Sequence, residues 1–173
     1  KMVHFMQCNK ITDIDTSFLY GNAHSILEKL PKKLFNIYSK FRIDTEIFEM
    51  AKLPDFLINA PIPRDIQGLS IHNSEIIDHS DFQKAIDIIY CIKERYSIPK
   101  IGISIYEVEQ VEKIYKIWTP DIIQLPLNYL NNSFIKSGAL EFIKSHGTII
   151  HARSLFCQGM LLQTPDQSKL RDE

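Results

Sequence analysis

Strand-like segments alternate with helix-like segments along this chain, and this alternation limits its fold more than any other feature. Runs of β-branched or alternating apolar residues indicate strands, and apolar residues spaced three or four apart indicate helices. Such an alternation favours a parallel sheet or barrel over a β-sandwich. The predicted strands are residues 3–6, 11–15, 34–40, 67–72, 101–105, 122–127 and 148–152, and the predicted helices are 22–30, 46–53, 82–95, 108–118 and 133–145. Residues 73–78 are a predicted loop, 56–64 a strand edge and loop, and 153–173 a loop with room for a short helix.

Polar side chains stand at the ends of successive predicted strands near the start of the chain. Asp15, Lys40 and His72 each close such a segment, and Tyr20 follows Asp15 in a turn before a helix. In a parallel barrel the carboxyl ends of all strands meet at one face, and active sites lie there. We therefore expect these four side chains to lie close together.

The four residue types suit the reduction of a carbonyl group. A phenol is a weak acid, with a pKa of about 10, and a neighbouring ammonium such as that of Lys40 lowers this pKa. Asp15 would hold Lys40 charged and oriented, and His72 would hydrogen-bond the carbonyl oxygen, with Tyr20 as proton donor. No side chain supplies hydride, so this chemistry requires a nicotinamide cofactor.

Each of these residues also has a purely structural interpretation. A tyrosine and a glycine before a helix commonly form a turn, and an aspartate can cap a helix or a turn. A lysine at a strand end is commonly solvated, and a histidine in a loop is commonly held by hydrogen bonds. The remaining histidines show no metal-ligand spacing, so we predict no metal site.

Composition excludes several other classes of protein. The formal net charge of −1 provides no electrostatic reason to expect a nucleic acid or an acidic membrane as partner. No apolar run approaches the roughly 18 residues that a membrane-spanning helix needs, and residues 1–7 lack the layout of a signal peptide. Cys8, Cys91 and Cys157 are too far apart for a zinc site or a disulfide framework. We therefore expect a cytoplasmic protein with reduced thiols and leave its oligomeric state open.

Around these positions the chain resembles the aldo-keto reductase family over residues 11–162. The resemblance implies a (β/α)8 TIM barrel that transfers hydride between NADPH, preferred to NADH, and a small aldehyde or ketone. It makes Tyr20 the general acid, tuned by Lys40 and Asp15, and makes His72 the residue that orients the substrate oxygen. The similar motifs are Asp15-Thr16-Ser17-Phe18-Leu19-Tyr20-Gly21, Tyr38-Ser39-Lys40, Leu69-Ser70-Ile71-His72-Asn73, Ile101-Gly102-Ile103-Ser104, the run from Asp121 to Asn128, and Ala152-Arg153-Ser154-Leu155-Phe156-Cys157-Gln158-Gly159.

The resemblance also implies a set of cofactor-binding residues. Ser104 and Gln124 match positions that hydrogen-bond the nicotinamide carboxamide, although ordinary strand-end hydrogen bonds are the structural alternative. Arg153 and Ser154 match the stretch that lines the cofactor. Two residues depart from the family pattern: Ile105 replaces an asparagine found in many members, and Arg153 replaces an aromatic residue that stacks on the nicotinamide. A guanidinium can stack as well.

Length sets the expectation for the domain. A complete barrel of this class has about 250 residues, whereas this sequence has 173. We find no room for a first helix between residues 7 and 11 and no eighth strand after residue 163. We therefore expect one partial barrel domain over residues 1–173, lacking the first helix and the eighth-strand region. Ordered parts of a longer protein are favoured over an open barrel, which would expose strand edges and apolar core.

Two functional hypotheses follow. The first is an NADPH-dependent reductase of aldehydes or ketones. The second is a non-catalytic protein with a reductase-like fold that acts as a binding or regulatory subunit, suggested by the length and by the residues at positions 105 and 153. A different phosphate-binding barrel is disfavoured because the sequence has no glycine-rich phosphate loop.

Overall fold

The computed structural model describes residues 1–31, 33–44 and 66–162, and these residues contain a parallel sheet of six strands. Each strand pairs in parallel with the next strand in sequence, so the order across the sheet is the order along the chain. A doubly wound sheet would reverse its order, whereas a barrel does not. The predicted partial barrel is therefore confirmed. The strands are β1 (Asp13–Asp15), β2 (Asn36–Phe41), β3 (Gly68–Ile71), β4 (Lys100–Ser104), β5 (Ile122–Pro126) and β6 (Ile149–Arg153).

Helices and 3-10 turns precede β1, lie between the described strands and follow β6. The helices are α1 (Met2–Cys8), α2 (Ala23–Leu27), α3 (Phe82–Tyr96), α4 (Glu109–Tyr115), α5 (Ser133–Lys136) and α6 (Ala139–Ser145), and the 3-10 turns are Ser74–Asp78 and Cys157–Leu162. Helix α3 ends at Ser97, which adopts a left-handed conformation with φ 52°. None of the helices described here is long and apolar enough to cross a membrane.

The core lies between the sheet and helix α3. Every residue of β3 and β5 is buried, which is typical of parallel strands that are covered on both faces. Helix α3 buries Ala85, Ile86, Ile89 and Ile92 on the face predicted from its apolar spacing. Complete burial of one isoleucine side chain stabilises the fold by about 1.5–3 kcal/mol, so this helix anchors the centre of the sheet.

The segment before β1 corrects one prediction. Residues 3–6 were predicted as a strand, but they belong to helix α1, which buries none of its residues. A short apolar run does not distinguish a strand from a helix, and no described strand offers these residues a backbone partner. A helix therefore directly precedes β1, in the region where the sequence indicated none.

Several predicted boundaries also change. The single helix predicted over residues 133–145 is two helices, α5 and α6, because Gly138 between them adopts a left-handed conformation with φ 77°. The loop predicted over residues 73–78 contains a 3-10 turn, as does the start of the predicted C-terminal loop. The helix predicted over residues 46–53 and the strand edge and loop predicted over 56–64 lie outside the described residues, as do residues 163–173.

Gly102 in β4 provides a test of the packing between strands. A Cβ atom at this position would lie 2.1 Å from the backbone oxygen of Ile122, so Gly102→Ala requires the backbone of β5 to shift. We expect a loss of about 3 kcal/mol in the free energy of unfolding, measured by urea denaturation. The matched control is Gly68→Ala, whose Cβ would meet only movable side-chain atoms of Ile122 and Tyr38 and should cost about 1 kcal/mol. Equal losses in the two variants would contradict this account.

Candidate active site

Polar side chains from all six described strands face the same end of the sheet. Because the strands are parallel and in register, the residues that end them lie side by side; Ser104, for example, pairs with Gln124. Tyr20 lies in the loop that follows β1. The strand-end residues are Asp15, Lys40, His72, Ser104, Gln124 and Arg153.

A buried ion pair forms the centre of this cluster. The Lys40 ammonium lies 2.5 Å from Oδ2 of Asp15, and the lysine side chain is only 2% exposed. Burial lowers the pKa of Lys40 from its ordinary value, and the hydrogen bond to Asp15 opposes that shift. The second carboxylate oxygen of Asp15 accepts a hydrogen bond of 2.9 Å from the Gln124 amide. Both oxygens of Asp15 therefore have partners, which fixes the direction in which it faces Lys40.

Tyr20 lies against this ion pair and beside His72. The Lys40 ammonium is 5.5 Å from the centroid of the Tyr20 ring. The imidazole of His72 meets the same ring edge-on, with 6.1 Å between centroids. The structure thus brings together the four residues that the sequence singled out.

The pKa of Tyr20 departs from its ordinary value in the direction opposite to that expected. Burial raises this pKa, and the negative charge of Asp15 raises it further. The expectation that Lys40 would lower it is wrong, because burial of the phenol and the negative charge of Asp15 both raise it. Tyr20 is consequently protonated at neutral pH.

Hydrogen bonds made by Ser17 and His24 hold the loop that carries Tyr20, and sequence analysis assigned neither residue a role in the site. Ser17 is fully buried, with its hydroxyl 3.1 Å from Nδ1 of His72 and 3.2 Å from the carbonyl oxygen of Lys40. His24, assigned a structural role from the sequence, lies 2.8 Å from the Ser39 hydroxyl and stacks on Phe18. A serine in a strand-end loop belongs to no recognisable sequence pattern, so the contacts of Ser17 with His72 and Lys40 could be identified only from the structure.

His72 is electrically neutral in this environment. Burial lowers its pKa, and the positive charge of Lys40 lowers it further. A neutral imidazole carries its proton on one nitrogen, and the contact with Ser17 at Nδ1 influences which one.

The predicted cofactor residues divide into two kinds. Ser104 Oγ and Arg153 Nε are buried and have no hydrogen-bond partner among the described residues. Gln124 is different, because its amide nitrogen is bound to Asp15 and thereby supports the ion pair. Ser154 follows Arg153 in a left-handed conformation with φ 60°, and its carbonyl oxygen accepts a hydrogen bond from Asn128.

Arg153 forms a stacked pair with Tyr106. Its guanidinium carbon lies 3.9 Å from the centroid of the Tyr106 ring, and Nη2 donates a hydrogen bond of 3.3 Å to the carbonyl oxygen of Ile105. No carboxylate forms an ion pair with it within the described residues. The positive charge of Arg153 is therefore close to the ion pair but is not neutralised by it.

Two cavities adjoin the cluster. One, of about 470 Å³, is lined by His72 and Tyr106 together with Ser74, Glu75 and Glu107. The other, of about 390 Å³, is lined by Asp15, Gln124 and Arg153 together with His151 and Tyr38. Tyr106 lines the first cavity and Arg153 lines the second, so their stacked side chains lie between the two.

No group of three or more histidine, cysteine, aspartate or glutamate side chains in the described part of the chain could hold a metal ion. At the centre of the cluster, Asp15 and Lys40 are paired with each other. The arrangement therefore presents a phenol, an ammonium and an imidazole as its reactive groups.

The fold is that of the aldo-keto reductases, as expected. An aldo-keto reductase from Bacillus halodurans in its holo form matches with a TM-score of 0.69 at 16% identity, over 94% of this chain and 59% of that one. An aldo-keto reductase from Klebsiella pneumoniae in complex with NADPH matches with a TM-score of 0.67 at 15% identity, over 88% and 56%. The glycerol dehydrogenase of Gluconobacter oxydans matches with a TM-score of 0.64 at 20% identity, over 99% and 58%.

This chain spans less than two thirds of the length of each of these three proteins. No protein-family model matches the sequence, and no curated protein matches it. At these identities the likeness establishes the fold, and the chemistry has to be argued from the site.

The ion pair leads to a prediction about stability. Asp15→Asn keeps the shape of the side chain but leaves the Lys40 ammonium buried without a counter-ion. We expect the free energy of unfolding to fall by about 2 kcal/mol at pH 6. Breaking a fully buried ion pair costs about 3–5 kcal/mol, and the loss here is smaller because Asp15 is 44% exposed.

This loss should shrink as the pH rises. The pKa of Lys40 is already lowered in the folded protein, and removing Asp15 lowers it further, so the folded variant releases this proton at a lower pH than the unfolded chain does. Stability then rises with pH between those two pKa values. The control is Asp13→Asn, on the same strand but bonded to Thr12 and Asn36 at the surface. Denaturation midpoints that fall equally in both variants, or independently of pH, would contradict the prediction.

Proposed function

We propose that this chain carries the active site of a reductase that converts aldehydes or ketones to alcohols with hydride from NADPH. The observation that carries the proposal is the position of Tyr20, whose ring lies between the Lys40 ammonium and the His72 imidazole, with Asp15 compensating the ammonium charge. A turn tyrosine or a solvated lysine would need neither the buried ion pair nor the imidazole.

In this proposal Tyr20 is the general acid. During reduction a hydride adds to the carbonyl carbon, and the carbonyl oxygen takes the proton of the Tyr20 hydroxyl. The raised pKa keeps that hydroxyl protonated until it is needed. The phenolate that forms lies beside the Lys40 ammonium, which stabilises the new negative charge. Asp15 and Gln124 hold the ammonium in place.

His72 orients the carbonyl oxygen through the nitrogen that faces away from Ser17. This role requires the proton to be on Nε2, so the Ser17 hydroxyl donates its hydrogen to Nδ1 instead of to the carbonyl oxygen of Lys40. The two distances, 3.1 Å and 3.2 Å, suit either arrangement. The lowered pKa of His72 supports the neutral form that this tautomer requires.

The residues present fit a nicotinamide cofactor. NADPH supplies the hydride, which no amino-acid side chain can provide. An unpaired buried polar group costs about 1–3 kcal/mol, and a polar group of the cofactor would satisfy Ser104 and Arg153 together. Gln124 and Ser154 complete the proposed cofactor-binding set. The Klebsiella pneumoniae protein of similar fold is in complex with NADPH, which supports the choice of cofactor.

Tyr20→Phe tests the general acid. We expect the turnover of a simple aromatic aldehyde to fall by about 10²–10⁴, because the proton donor is lost. The dissociation constant for NADPH, measured from nucleotide fluorescence, should stay the same. Tyr90→Phe is the matched control, because Tyr90 lies on helix α3, lines neither cavity, and loses only a 3.3 Å hydrogen bond that its hydroxyl accepts from the indole of Trp118. Equal turnover by the Tyr20 variant and the wild type would refute the role of Tyr20. NADPH binding without turnover by the wild type would favour the binding-subunit hypothesis.

Ser104→Ala tests the cofactor site without relying on activity. Loss of one hydrogen bond of ordinary strength, about 1 kcal/mol, should raise the dissociation constant for NADPH about fivefold. Ser137→Ala, between α5 and α6, should leave it unchanged. An unchanged constant in the Ser104 variant would remove Ser104 from the cofactor-binding set.

A further inference from the structure

The larger cavity, beside His72, contains two carboxylates whose charge is not compensated. Glu75 and Glu107 both line it, both are exposed, and neither forms an ion pair or side-chain hydrogen bond within the described residues. Other acidic residues nearby are paired, Asp44 with Arg42 and Asp78 with Lys113. Arg42 also lines the cavity, but its guanidinium is paired with Asp44, so the two glutamates leave the outer part of the cavity with an excess of negative charge.

Both carboxylates stand on segments that are held in place. Glu75 belongs to the 3-10 turn that begins after Asn73, and the Asn73 amide makes two hydrogen bonds of 3.0 Å to the backbone of Ile43. The backbone amides of Tyr106 and Glu107 both donate to the side-chain oxygen of Gln110, at 2.8 Å and 3.1 Å. The backbone that carries each glutamate is therefore held at the edge of the cavity.

A third group in the same cavity also lacks a partner. Ser74 is only 7% exposed, lines the cavity, and its hydroxyl makes no hydrogen bond within the described part of the chain. The Ser74 hydroxyl is open to the cavity, where it is available to a polar group of a ligand.

The inner part of the cavity has the opposite polarity. His72 lies there, and the Arg153 guanidinium, which forms no ion pair within the described residues, is stacked against the Tyr106 ring. A carbonyl oxygen, which becomes negative as it is reduced, is favoured at this inner end. A molecule that is positive at its other end would lie along this gradient of charge.

We propose that this cavity takes a carbonyl compound that also carries a cationic amino group, with the carbonyl oxygen at His72 and the cation between Glu75 and Glu107. Ser74 accepts a hydrogen bond from the amino group or from a hydroxyl next to it. Oxo acids are disfavoured, because their carboxylate would face the two glutamates. The inference rests on the proposed reductase function, since it assumes that the carbonyl end faces His72.

Binding of three benzaldehydes tests this charge selection. The pair 4-(trimethylammonio)benzaldehyde and 4-tert-butylbenzaldehyde have the same shape and differ in charge, and 4-carboxybenzaldehyde carries the opposite charge. Dissociation constants come from nuclear magnetic resonance titrations of the Glu75 and Glu107 amide signals at low ionic strength. We expect the cation to bind about three- to tenfold more tightly than its neutral counterpart, and the carboxylate to bind more weakly than both. About 0.5 M salt should remove most of the preference.

The variants then locate the source of the preference. In the Glu75→Gln, Glu107→Gln double variant the three ligands should bind with nearly equal affinity. Glu141→Gln, on the exposed surface of α6, changes the net charge without touching the cavity and should retain the preference. Equal affinities in the wild type, tightest binding of the carboxylate, or a preference that survives in the double variant would overturn the inference.

This measurement does not depend on turnover. A preference for the cation without any Tyr20-dependent reduction would leave the charge selection standing and overturn the proposed reductase function. Equal affinities for the three aldehydes, together with Tyr20-dependent reduction of all three at equal efficiency, would overturn the charge selection and leave the proposed reductase function standing.

Discussion

The pairing of Lys40 with Asp15 is the interaction on which the rest of the site depends. An ammonium that is almost completely buried is tolerated in a fold only with a counter-ion and hydrogen bonds at close range. The ion pair connects β1 to β2, and the hydrogen bond that Gln124 donates to Asp15 connects them to β5. The same pairing determines the electrostatics around Tyr20, because it leaves the phenol beside a charge that is largely neutralised. Structure and proposed chemistry thus share a single constraint.

Sequence patterns were sufficient to predict the parallel order of the strands and the convergence of Asp15, Tyr20, Lys40 and His72, since strand ends in such a sheet necessarily meet. They were insufficient wherever the outcome depends on neighbours in space. The apolar run at the start of α1 has no periodicity long enough to separate helix from strand. The direction of the pKa shift at Tyr20 depends on how far the phenol is buried and how close it lies to Asp15, and the sequence contains no measure of either. The attachment of Gln124 to Asp15 is likewise a contact between residues far apart along the chain.

The stacked pair of Arg153 and Tyr106 organises the space around the ion pair. Tyr106 belongs to the loop after β4 and Arg153 ends β6, so their contact crosses the top of β5. Tyr106 faces the cavity that contains the glutamates, and Arg153 faces the cavity that contains Asp15 and Gln124. The glutamates therefore place negative charge on one side of the stack, and the Arg153 guanidinium places a positive charge beside Asp13 and Asp15 on the other.

The hydrogen bond between Gln124 and Asp15 joins residues separated by 109 positions in sequence. Closing a loop of that length costs chain entropy before any contact at its ends can offset the cost. Contacts of such long range are associated with slow folding and form after the local helices and neighbouring strands. An intermediate that has paired β1 with β2 but has not yet added β5 would hold Lys40 against a carboxylate free to rotate. Completion of the charged centre would accordingly mark a late step in folding, after most of the sheet has assembled.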